Sequence, residues 1–94
     1  MTPEKWEVAD THRATGRRVE MRTTDFTHTG NNEGTLTREV QVLERDGNAI
    51  LTTRMEIEWA YHGEIKAGFS DDGLSLTITG SDGQRKVRTL PEPA

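Results

Sequence analysis

Few residues in this chain are of the kinds that do chemistry, and their spacing says as much as their identity. His12, His28 and His62 are its three histidines, the side chains that ordinarily titrate nearest neutral pH. A metal site gathers two or more such ligands at short, face-consistent spacing, i and i+4 on a helix or i and i+2 on a strand. These lie far apart in the sequence and His62 falls in a turn, so three surface or loop histidines and no metal are expected. Asp25 and His28 could act as a base and its orienting group, with Ser70, Ser75 or Ser81 as nucleophile. None of those serines sits in a Gly-x-Ser-x-Gly turn. Glu56 and Glu58 share one face of a strand, about 7 Å apart, and paired carboxylates can cleave glycosidic bonds. Arg54 and Lys66 flank them, however, and a solvated charge ladder accounts for the pair.

The chain has no cysteine, which removes disulfides, zinc thiolates and thiol nucleophiles. Its glycines are explained by turns and form no phosphate cradle. The Asp-Gly turns lack the ligand spacing and terminal glutamate of a calcium loop. No cofactor is expected, and no catalysis. Arg13, Arg17, Arg18 and Arg22 make the densest basic run, and Arg85, Lys86 and Arg88 a second. The two would merge if the first and last strands were neighbours, yet no aromatics interleave to stack on bases. Sixteen acidic against twelve basic residues, a net charge of −4, argue against nonspecific nucleic-acid or membrane binding. No apolar run approaches the roughly 18 residues of a membrane span. The opening residues Met1–Val8 lack a signal peptide's apolar stretch, so a cytoplasmic location is expected.

Strands must position these residues. Fourteen threonines and nine glycines favour strands and turns over helices, and 94 residues make a single all-β domain, 1–94. Turn signals at Asp46-Gly47, His62-Gly63, Asp72-Gly73 and Asp82-Gly83 separate strands Thr35–Arg45, Asn48–Tyr61, Glu64–Asp71, Leu74–Ser81 and Gln84–Leu90. Two-residue loops at the Asp-Gly turns set Val42 opposite Leu51, Leu36 opposite Ile57, Phe69 opposite Leu76, and Ile78 opposite Val87. A three-residue loop ending at Gly63 sets Trp59 opposite Ile65, Ile57 opposite Ala67 and Met55 opposite Phe69. Slipping any strand by one residue would turn its apolar set outward. The same registers pair Glu39 with Arg54 and Glu58 with Lys66 on the polar face.

Arg17–Thr27 reads as a further strand, joined to Thr35–Arg45 by the loop His28–Gly34, with Val19 opposite Val42, Met21 opposite Val40 and Arg22 opposite Glu39. Residues 3–13 fit a strand closed by Ala14-Thr15-Gly16, or a short helix starting at Thr2-Pro3-Glu4. Trp6, Val8 and Ala9 would be that helix's only apolar cover. The strands present thirteen apolar side chains to one face, Leu36, Val40, Met55, Trp59, Phe69 and Val87 among them. That face has to be covered, since burying each such side chain stabilises by roughly 1.5–3 kcal/mol. The expected fold is an antiparallel meander of six or seven strands curled into a small barrel or half-barrel, the alternative being α+β with the short N-terminal helix on the sheet. A homodimer or partner chain is the other source of cover.

Arg38 breaks the apolar face, projecting inward opposite Met55. Three readings account for it: a buried pair with Asp25, a ligand carboxylate inside the barrel, or a head group reaching water. A small, mildly acidic, cysteine-free all-β chain without a catalytic signature reads first as a protein acting through protein–protein contacts, self-association included. A sheet edge, the polar face or the loop His28–Gly34 would carry those contacts. The second reading is a barrel that binds an apolar or carboxylated ligand, with Arg38, Trp59 and Tyr61 at the site.

Overall fold

Alternating side chains and glycine-marked turns build every regular element. The computed structural model describes residues 5–93, with strands β1 (Glu7–His12), β2 (Arg17–Gly30), β3 (Glu33–Leu43), β4 (Ala49–Ala60), β5 (Ile65–Phe69), β6 (Ser75–Gly80) and β7 (Arg85–Thr89). They form two antiparallel sheets, ordered β1-β2-β3-β4 and β5-β6-β7. The described residues contain no helix, and β1 takes the place of the helical alternative. The helix start at Thr2-Pro3-Glu4 lies outside the described residues.

Neither a barrel nor a half-barrel forms. The expected curl depended on β4 pairing with β5, and the chain turns out of the sheet between them. Tyr61 takes a left-handed φ of 67°. Its N–H donates to the Asn32 carbonyl at 2.5 Å, and the His62 N–H folds back onto the Ala60 carbonyl at 2.8 Å. The pairs Trp59–Ile65, Ile57–Ala67, Met55–Phe69 and Glu58–Lys66 are therefore absent, and β5 opens a second layer. Ile65, Leu76 and Ile78 from that layer share one core with Val19, Met21, Leu36, Val40, Val42, Met55, Ile57 and Trp59. The cover expected from curling comes from the chain's own last three strands.

Within the first sheet the expected registers hold: Val19 faces Val42, Met21 faces Val40, Arg22 faces Glu39, Val42 faces Leu51, Leu36 faces Ile57 and Glu39 faces Arg54. Phe69–Leu76 and Ala67–Ile78 pair in the second sheet. The turns themselves are longer than two residues. Gly47, Gly73 and Gly83 have φ of 92°, 72° and 95°. Each donates its N–H three residues back, to Glu44, Ser70 and Gly80. Each preceding aspartate accepts the N–H two residues on. Between β3 and β4 an irregularity next to Val42 restores the expected register. Nothing does so between β6 and β7, so Ile78 faces Lys86, while Val87 faces Thr77 and is 51% exposed.

That one-residue difference has a use. Lys86 turns toward the first sheet and its Nζ donates to the Arg54 carbonyl at 2.8 Å, while Gln84 Nε2 donates to the Glu56 carbonyl at 2.8 Å. Two side chains thus cap the edge strand β4 against further pairing. At the opposite seam, the Phe69 N–H donates to Asp10 Oδ2 at 3.0 Å and His12 Nε2 meets the Asp71 carbonyl at 2.7 Å. Trp6 is not core. It lies over the outer face, its ring 4.3 Å from the Arg22 guanidinium.

Candidate functional site

One irregularity decides what the inner face of the first sheet presents. Between Thr23 and Asp25 the β2–β3 register shifts, leaving Thr24 unpaired. Without it Asp25 and Thr27 would point inward. With it Asp25 turns outward, opposite Thr37, and its carboxylate accepts the Thr27 hydroxyl at 3.1 Å. Phe26 and His28 turn inward instead, facing Leu36 and Gly34. Gly34 also faces Trp59 across β3–β4. A Cβ there would overlap the Thr27 carbonyl and the indole, so only glycine lets the ring lie across the strand.

An aromatic cluster results. Phe26 and Trp59 stack with centroids 5.1 Å apart and planes 8° apart. The His28 ring stands edge-on to both, at 5.3 and 5.0 Å. Trp59 is buried, and among the described residues its Nε1 has no acceptor. Phe26 stays 51% exposed and Tyr61 84% exposed. The Asn31-Asn32 turn, Tyr61, His62 and the stack line an open groove of about 480 Å³.

Arg38 occupies a different place. It faces Thr23 and Met55 and lines an open cleft of about 340 Å³ between the sheets, with Met21 beneath and β1 and β5 on either side. Asp25 does not reach it, because the irregularity at Thr24 sent that carboxylate to the other face. Trp59 and Tyr61 therefore belong to one site and Arg38 to another. Arg17, which the pattern of apolar residues did not single out, is the cation that is fully buried. Its Nε donates to Glu44 Oε1 at 2.6 Å, Nη1 to the Gly73 carbonyl at 2.9 Å, and Nη2 to the Pro91 carbonyl. It shares the parity of Val19 and Met21, and that signal was available in the sequence.

The catalytic candidates disperse. Asp25 and His28 lie on opposite faces of β2. Ser70 braces its own turn, donating to Asp72 Oδ1 at 2.6 Å and accepting the Ser75 N–H at 3.1 Å. The Ser81 hydroxyl accepts the Glu64 N–H at 3.0 Å. Glu56 and Glu58 are exposed on the outer face. His28 and His62 both line the aromatic groove, whereas His12 holds the β1–β5 seam. The basic runs do not merge: Arg18 pairs with Glu20 at 3.2 Å, Arg22 with Glu39 at 3.3 Å, and β7 lies in the other sheet. No helix among the described residues is long and apolar enough to cross a membrane. Comparison with protein-family models, with curated proteins and with solved structures finds no significant match.

Proposed function

We propose that this chain is a non-catalytic binding protein that engages a protein partner through the aromatic end built by Phe26, His28, Trp59 and Tyr61. Tyr61 carries the reading. A non-glycine residue in the left-handed region costs about 1–3 kcal/mol, and glycine would make the same corner without strain. The corner instead holds a tyrosine whose ring is 84% in water, beside a half-exposed phenylalanine fixed from behind by the Trp59 stack. Rigid, exposed aromatic groups rimmed by amides and imidazoles are what interface hot spots are made of.

The test separates strain from use. Tyr61→Gly relieves the backbone and is expected to raise stability by about 1 kcal/mol in urea unfolding. A photo-crosslinker at position 61 should capture a defined partner that a crosslinker at exposed Thr79 does not. Binding of that purified partner should then weaken at least about tenfold in Tyr61→Ala and in Phe26→Ser. Equal capture from both positions, or affinity untouched by both substitutions, would remove the aromatic end as the binding surface.

A further inference from the structure

We propose that the cleft between β1, β2 and β5 is a carboxylate-binding site in which Arg38 is the recognising group, independent of the aromatic end. Three observations converge there. Arg38 lies on the inner face, its Nε buried without a hydrogen-bond partner, and among the described residues it makes no ion pair. A buried donor left unmade is costly, and in an open cleft an acceptor arriving from outside can satisfy it. The irregularity at Thr24 has also turned away the one acid, Asp25, that an uninterrupted strand would have brought toward it.

The cleft mixes apolar and charged groups. Met21, Ile65 and Ala67 put apolar side chains into its lining, and its volume of about 340 Å³ suits a small organic acid. Its other charges, Glu7, Glu64 and Lys66, are exposed at the rim, where Glu64 and Lys66 stand 4.0 Å apart and offset each other. Arg38 is thus the charged group of the cleft with a sheltered donor, its half-buried side chain keeping Nε out of water. A planar guanidinium in that setting selects a planar anion by paired N–H···O bonds. The ligand is a carboxylate carried on an apolar body, either a free acid or the terminus of a polypeptide.

Decanoate, decanamide, a short apolar peptide with a free C-terminus and the same peptide amidated are the probes. The readout is the Arg38 Nε–H resonance in nitrogen-resolved NMR, together with the affinity. At least one carboxylate should shift that resonance and bind at least tenfold more tightly than its amide. Binding of decanoate alone identifies a free acid, and binding of the peptide alone identifies a chain terminus. Arg38→Met should abolish the preference for carboxylate over amide while the protein stays folded, and Arg38→Lys should keep part of it. The proposal is overturned if the amides bind as well as the acids, if Arg38→Met and Arg38→Lys leave the preference intact, or if no probe binds at millimolar concentration.

Discussion

Arg17 and Arg38 lie on the same inner face of the same sheet, and the molecule treats them in opposite ways. Arg17 is sealed, with Glu44 and the carbonyls of Gly73 and Pro91 taking up its donors. It ties the end of β3, the β5–β6 turn and the segment after β7 to one side chain, so it joins both layers. Arg38 faces a cleft, with no acid partner among the described residues and a buried Nε–H unmade. Burial of a cation is tolerable only where acceptors meet it. Arg17 therefore reads as structure, and Arg38 as a group waiting for an acceptor. Position on a face does not separate these two charges; the count of satisfied donors does.

Stability measurements can break that contrast. Arg17→Met strands the Glu44 carboxylate and two carbonyls, and urea unfolding should show a loss of about 3–5 kcal/mol. A loss below 1 kcal/mol would put the two arginines in one class. Glu44→Gln keeps an acceptor beside Arg17 and removes its charge. We expect about 1.5–3 kcal/mol of destabilisation there, the range of hydrogen bonds to charged groups. Arg38→Met removes no satisfied bond, so stability should move by no more than about 0.5 kcal/mol or should rise. Asp25→Asn should also stay within about 0.5 kcal/mol, and the double mutant should show no coupling. Appreciable coupling between positions 25 and 38 would restore the buried pair and undo the carboxylate site.

The same two residues show how far the sequence reaches. Parity placed the β2–β3 and β3–β4 registers correctly, because a wrong register would have exposed several apolar side chains at once. Parity also put Arg38 inward. The outward turn of Asp25 is not legible, because the irregularity at Thr24 carries no composition signal: Thr23 and Thr24 are alike, and only the structure shows which one is unpaired. The inward face of Arg17 is legible through its parity with Val19, a signal that its place in a basic run obscures. The second layer is hidden at Tyr61. His62-Gly63 has the look of a hairpin turn, whereas the chain leaves the sheet two residues before the glycine, on a non-glycine residue that sequence rules place elsewhere. The inward face of Trp59 follows from parity, whereas that of Phe26 depends on the same irregularity.

The smallest effect concerns the turn that supplies one of Arg17's acceptors. The Gly73 carbonyl is held in place by the turn Ser70–Gly73, which the Asp72 carboxylate braces by accepting the Ser70 hydroxyl at 2.6 Å and the Leu74 N–H at 2.9 Å. The Ser70 hydroxyl, and then the Leu74 amide, hold this carboxyl below the usual aspartate range. A lowered folded-state value means the unfolded chain takes up its proton first as pH falls. The contribution is therefore fully present above about pH 4 and is lost as pH drops through the lowered folded value. Asp72→Asn can still accept both hydrogen bonds but cannot titrate. It should flatten the acid limb of stability against pH slightly and leave neutral-pH stability close to that of the parent. Arg17→Met should keep the Asp72 share of that slope, because the brace is local to the turn. If Arg17→Met abolishes it as well, the turn and the buried arginine form one cooperative unit, and the sealed region extends from Glu44 to Asp72.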